Sequence, residues 1–182
     1  MMASTALSDR NTVFLGTAPT LLQGEITLET AAHTAWGAAV TAQMYLPRER
    51  SQVWQQITDY PRWIHYFPDI TQSHLLPPTS PYSTSKRLYQ AASKTLLFLT
   101  AHVEIYLKVL ETPKQSVEFH LESGSFRDFT ARLHLQDFAT GTVLTYHVQA
   151  TPTIPVPSPL IQQAIHFDLP TNMRTMRQAI CQ

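Results

Sequence analysis

Apolar and polar residues alternate along Ala35 to Leu46, with Trp36, Ala38, Val40, Ala42, Met44 and Leu46 sharing one side. A period of two predicts a strand with one buried face. Similar strand-like runs recur over Ile70–Leu76, Lys86–Ser93, Leu96–Glu111, Ser116–Glu122, Phe126–Phe138 and Val143–Thr151. Most are separated by short turn signals: Ser93-Lys94, Thr112-Pro113-Lys114, Ser123-Gly124 and Ala139-Thr140-Gly141. Short turns between consecutive strands imply an antiparallel meander. Leu21 to Thr30 reads as a further short strand or an arm, since Ile26 and Leu28 alternate with polar neighbours.

Two stretches change period. Arg48 to Thr58 reads as a helix with Val53, Trp54 and Ile57 inward, broken by Asp59-Tyr60-Pro61. Pro61 can open a second short helix that runs through Phe67 and ends at Pro68. At the other end, Ser158 can cap a helix and Pro159 suits its first turn. Ile161, Ile165, Leu169, Met173, Met176 and Ile180 then recur at helical spacing. Such a stripe needs a large apolar partner, and the strands before it supply one. Pro170 falls inside this helix and should bend its axis near Leu169.

These elements predict an α+β fold: a curved antiparallel sheet of about six to seven strands around a long C-terminal helix, with two short helices after the first strand. Residues 1–20 are small and polar and are expected to be poorly ordered, leaving 21–182 as one domain. Pro152, Pro155, Pro157 and Pro159 form a stiff connector to the last helix.

Composition narrows the function classes. Acidic and basic residues balance at 13 each, so the basic excess of a nucleic-acid binder is missing. The most apolar run, Thr95 to Leu110, is interrupted by His102, Glu104 and Lys108 and does not read as a membrane span. The first residues carry Asp9 and Arg10 and no signal-type apolar core. With a single cysteine, Cys181, the expectation is a soluble cytoplasmic protein. Five glycines and no nucleophile elbow or CxxC pair argue against phosphate cradles and familiar catalytic constellations.

The candidate chemistry lies in the aromatics. Tyr60, Trp63, Tyr66 and Phe67 cluster in the second short helix and suit either the mouth of an apolar cavity or plain core packing. Leu97, Leu99, Ala101, Val103, Ile105 and Leu107 share one strand face, as do Phe129, Ala131, Leu133 and Leu135, joined by Tyr146 and Val148. All should face the long helix, as core or as cavity wall. Arg87 and Tyr89 share one face of their strand and Leu88 and Gln90 the other, and the pattern does not say which pair points inward. An inward Arg87 would want an acidic ligand group; the alternative is an exposed strand-end charge. His102, His120, His134 and His147 fall opposite the apolar face, as expected of a wet sheet surface, and lack the compact spacing of a metal site.

The ordered set of segments resembles the START-like superfamily, also called the SRPBCC or polyketide cyclase/dehydrase-like group. Val53-Trp54-Gln55-Gln56-Ile57-Thr58-Asp59-Tyr60 looks like its first helix and exit. Trp63 through Phe67-Pro68-Asp69-Ile70 looks like the second helix entering strand two. Gly124-Ser125-Phe126-Arg127-Asp128-Phe129, Thr142-Val143-Leu144-Thr145-Tyr146 and the stretch from Pro155 to Arg174 resemble the last two strands and closing helix. The resemblance spans about residues 35–180. It implies a helix-grip fold whose cavity binds lipids, quinones or polyketides, and it carries over no catalytic residue. The coenzyme Q-binding and cyclase/dehydrase-like branches look most similar.

The expectation is therefore a hydrophobic small molecule held by Trp63, Tyr66, Phe67, Arg87, Tyr89, Phe129, Tyr146 and Phe167, with no cofactor, no metal and no nucleic acid. Two rival expectations are a polyketide cyclase or dehydratase, and an interaction module that docks a protein partner through the proline connector and the arm.

Overall fold

The structure is a computed structural model and describes residues 18–96 and 99–182. The chain opens with a short helix α1 (Ala18–Leu22), strand β1 (Thr27–Ala31) and strand β2 (Ala38–Leu46). Next come helix α2 (Arg50–Ile57), one 3-10 turn (Tyr60–Arg62) and the short helix α3 (Trp63–Tyr66). Strands β3 (Ile70–Leu76), β4 (Lys86–Leu96), β5 (Leu99–Thr112), β6 (Ser116–Gly124), β7 (Phe126–Phe138) and β8 (Gly141–Pro152) follow. A continuous C-terminal helix comprises α4 (Ser158–Gln163), a π-helical turn (Ala164–Asp168) and α5 (Leu169–Cys181).

The eight strands form one curved, unclosed antiparallel sheet in the order β1-β2-β8-β7-β6-β5-β4-β3. The meander β3 to β8 pairs consecutively, and β2 returns to lie beside β8 with Ala42 opposite Tyr146. The arm at residues 21–30 supplies the eighth strand, with Leu28 opposite Ala42. Ala18–Leu22 is helical, against the expectation of a poorly ordered start up to residue 20, because Leu21 is buried against Tyr45 and Val143. The part of that expectation covering residues 1–17 lies outside the described residues.

Alternation places Ala42, Met44 and Leu46 of β2, Leu107 and Val109 of β5, Leu133 and Leu135 of β7 and Leu144 of β8 in one core. The helix stripe closes that core with Met173, Met176 and Ile180, as its spacing predicts. Helix α2 starts at Arg50, two residues later than the sequence suggests, because Glu49 is extended and its N–H reaches Gln52 Oε1 at 3.3 Å in a capping box. Ser158 begins the last helix rather than capping it, and Pro157 precedes it.

Pro170 does leave its mark on the helix. The Leu169 N–H bonds to the Ala164 carbonyl, five residues back, across the π turn. Proline offers no N–H to the carbonyl four residues earlier and crowds it, and a widened turn relieves that crowding. The turn also serves the stripe. From Ile161 through Ile165 and Leu169 to Met173 every step is four residues, each overshooting a full α-turn by about 40°. One extra residue in the π turn takes back most of that drift, so Ile165 and Met173 are both buried.

Candidate ligand-binding site

The residues after α2 are held by hydrogen bonds that leave their rings little freedom. Trp63 Nε1 donates to the Ile57 carbonyl at 3.0 Å, and the Tyr66 hydroxyl to the Gln56 carbonyl at 3.1 Å, so α3 is tied back onto α2. The Tyr60 hydroxyl donates to the Glu111 carboxylate, which Lys86 also contacts at 2.7 Å. Burial and the neighbouring Glu111 carboxylate both push the Tyr60 hydroxyl far above the ordinary tyrosine range. Trp63 stacks on Phe67 with centroids 5.5 Å apart and meets Phe119 edge-on at 5.3 Å.

Beyond this anchored cluster lies a cavity of about 180 Å³. Its walls are Trp63 and Phe67 at α3, Ile70 of β3, Gln90 to Ala92 of β4, Val103 to Ile105 of β5, Phe126 and Phe129 of β7 and Tyr146 of β8. Phe126 and Phe129 are three residues apart, a spacing that puts residues on opposite faces of a regular strand. A register shift between Phe126 and Asp128 in the β7–β8 pairing brings both to the cavity, with ring centroids 5.6 Å apart. Gly124 just before them has a φ of +135°, and a Cβ there would collide with the Glu104 carbonyl on β5. Only glycine lets β6 end this close to the cavity wall.

Polar groups in the lining are few. Gln90 Nε2 donates to Ser73 Oγ at 3.1 Å, and Ser73 Oγ donates to the Tyr60 carbonyl at 2.7 Å. Glu104 contributes to the wall, but its carboxylate accepts from the Tyr89 hydroxyl at 3.3 Å. Burial pushes the Tyr146 hydroxyl up to about 12, so it stays protonated at neutral pH. Tyr146 is half-buried and lines the cavity.

Of the eight residues expected to hold a ligand, Trp63, Phe67, Phe129 and Tyr146 meet at this cavity. Tyr66 is buried in the core beside it. Arg87 and Tyr89 point the other way, because Leu88 between them is fully buried. Arg87 pairs with Glu122 at 2.8 Å, and Tyr89 sits among His74, Tyr106 and Glu104 on the outer face. Phe167 is 70% exposed and lines neither this cavity nor a larger one described below. It lies two residues past the buried Ile165, roughly half a turn around the helix. Gln90, Phe126 and Val103 complete the site. The alternation of β4 allowed Gln90 an inward position without choosing it, and nothing local in the sequence announces the bulge that turns Phe126 inward. The expectation for Leu97 lies outside the described residues, and Val103 is 36% exposed because it faces the cavity rather than packed atoms.

A larger cavity of about 520 Å³ lies between the β1–β2 connection and the C-terminal helix, walled by residues 30–35 and 37–39 with Val156, Ile161, Gln162 and Ile165. Its sheet-side wall is mostly alanine, threonine and backbone. Beside it His33 Nε2 meets Asp128 Oδ1 at 2.6 Å and Thr34 Oγ1 meets Thr151 Oγ1 at 2.9 Å, fastening the connection to β7 and β8. On the outer sheet face His147 bonds Thr41 at 2.9 Å and His120 approaches Glu118 at 3.4 Å. Among the described residues no three His, Cys, Asp or Glu side chains gather as metal ligands. Among them, too, no helix is long and apolar enough to cross a membrane.

An open antiparallel sheet gripping one long helix, with an aromatic cavity on its inner side, defines the helix-grip fold of the START-like class. Residues 46–177 match the family described as polyketide cyclase/dehydrase and lipid transport, and the chain belongs to that family. Solved structures agree on the fold. A START superfamily protein from Mycobacterium smegmatis superposes with a TM-score of 0.63 at 13% identity, covering 78% of this chain and 96% of that one. A STAR-related lipid transfer protein from Xanthomonas axonopodis gives 0.60 at 15% identity, covering 85% and 99%. The di-domain ARO/CYC StfQ of the steffimycin biosynthetic pathway gives 0.58 at 9% identity, covering 80% of this chain and 51% of its own. No curated protein sequence matches the chain.

Proposed function

We propose that the protein binds a hydrophobic small molecule, lipid-, quinone- or polyketide-like, in the aromatic cavity beside α3, and does so in the cytoplasm. The observation that carries this reading is a cavity walled by Trp63, Phe67, Phe126, Phe129 and Tyr146 with almost no charge inside. At about 180 Å³ it is slightly larger than the roughly 150 Å³ engineered cavity that holds benzene in another protein. It is smaller than the roughly 300–1,000 Å³ of sites that enclose drug-sized molecules. One ring or a short chain segment fits inside, and the rest of a larger ligand lies outside. Burying about 150 Å² of a ring at about 25 cal/mol per Å² gives roughly 4 kcal/mol, a millimolar anchor before further contacts.

Native mass spectrometry of freshly purified protein, followed by denaturing extraction, tests the reading. A released apolar compound of defined mass is the expected result. An unliganded mass, together with no binding of single-ring compounds at millimolar concentration, would remove it. A cyclase reading needs acid–base groups aimed at a substrate. The lining supplies one protonated phenol and one carboxylate engaged elsewhere, which favours binding over chemistry.

A further inference from the structure

The geometry points to a neutral ring bearing a carbonyl group as the part of the ligand that enters the aromatic cavity, with the Tyr146 hydroxyl donating the hydrogen bond that orients it. This inference rests on the binding function proposed above and deepens it.

The lining sets three requirements. Trp63, Phe67, Phe126, Phe129 and Tyr146 present ring faces and edges around a space sized for one ring, which suits a flat occupant better than a branched or folded chain. The Tyr146 side chain reaches this space and makes a ring contact with Phe67 at 6.4 Å, yet its hydroxyl has no hydrogen-bond partner among the described residues. The fully enclosed side-chain atoms that lack partners are Thr27 Oγ1, Trp36 Nε1, Gln43 Oε1 and His134 Nδ1. The Tyr146 hydroxyl is not one of these sealed atoms, and its residue lines the cavity. A protonated phenol whose hydrogen is unspent calls for an acceptor, and a ring carbonyl is the acceptor that a flat apolar ligand can carry. Gln90 commits one of its two Nε2 hydrogens to Ser73 at 3.1 Å, which holds its amide towards that hydroxyl.

The third requirement is charge. Among the described residues Glu104 is the one charged residue of the wall, and none of them brings a cation to the space. A carboxylate or phosphate drawn inside would lose its water without a compensating partner. Acidic head groups are therefore left outside the mouth.

Three compounds with one ring each separate these requirements: acetophenone with a carbonyl, ethylbenzene without one, and benzoate with a charge. Dissociation constants come from calorimetric titration of the whole protein and of Tyr146→Phe, which keeps the ring and removes the hydroxyl. Acetophenone should bind about fivefold tighter than ethylbenzene, the size of one net hydrogen bond. Benzoate should be at least tenfold weaker than acetophenone. In Tyr146→Phe the acetophenone advantage should vanish while ethylbenzene keeps its affinity. Equal binding of acetophenone and ethylbenzene to the unmodified protein would overturn the inference and leave the binding function standing. So would a preference that survives in Tyr146→Phe, or a preference for benzoate. Failure of all three compounds to bind would instead remove the binding function itself.

Discussion

Leu133 and Val103 lie on inner sheet faces, yet truncating them should have very different costs. Leu133 on β7 is 1% exposed and sits in the core, paired across the sheet with Val117 on β6 and Tyr146 on β8. Leu133→Ala removes three carbons, about 2.4 kcal/mol of transfer energy at about 0.8 per carbon, plus a cavity term that brings the total to about 3–4 kcal/mol. Val103 is 36% exposed and already faces open space at the cavity. Val103→Ala removes two carbons that are only partly buried and creates little new void, so the loss should stay at about 1 kcal/mol or less. Urea unfolding followed by tryptophan fluorescence and by far-UV circular dichroism, with coincident transitions and an unchanged m-value, reads both numbers. Equal losses at the two positions would refute the claim that Val103 lines a real cavity while Leu133 packs.

Other expectations follow from the same contacts. Gly124→Ala forces a positive φ on alanine and drives its methyl into the Glu104 carbonyl, and should cost about 1–3 kcal/mol in the same unfolding assay. Tyr146 ionises near 12 when folded, above its unfolded value near 10, so its contribution is complete below pH 10 and is lost as pH rises towards 12. Stability measured from pH 9 to 12 should therefore fall less steeply in Tyr146→Phe, and an identical slope would count against the buried hydroxyl. Burial pushes the Asp128 carboxyl up, but hydrogen bonds from Thr151 and His33 outweigh it and hold the group below the usual carboxylate range. That contribution is present above the unfolded carboxylate range and fades as pH falls through the lowered folded value, and solvent screening keeps it under about 1 kcal/mol. Asp128→Asn should flatten the acid limb of the stability curve by that small amount, and a loss of several kcal/mol at neutral pH would mean the pair carries more than the exposed geometry allows.

Period and turn chemistry made most of the meander from β3 to β8 and the closing helix readable, because the strands alternate and most breaks carry proline, glycine or a polar cluster. The exception is β4, which runs through the Ser93-Lys94 turn signal to Leu96 before β5 begins at Leu99. What escaped are features set by neighbours rather than by local sequence. Two periods of β4 were equally good until Leu88 met the core, and that contact sent Arg87 and Tyr89 outward. The bulge beside Phe126 depends on how β7 pairs with β8, and no residue in β7 alone encodes it. Phe167 was legible in principle. Its position half a turn from Ile165 places it off the stripe. The π turn, too, had a visible signature in Pro170 and in three successive four-residue steps of the stripe.

The pairing of β2 with β8 joins Ala38 to Ala150 and Leu46 to Thr142, about a hundred residues apart. During synthesis β2 therefore leaves the ribosome long before its central partner exists. At about 5–20 residues per second, the interval is roughly 5–20 s. Throughout it a strand carrying Ala42, Met44 and Leu46 has only β1, a five-residue edge strand, to pair with. The meander can assemble by local hairpins in the meantime, and its last strand is the one that β2 awaits. Completion of the sheet is thus gated by the synthesis of β8, about a hundred residues after β2.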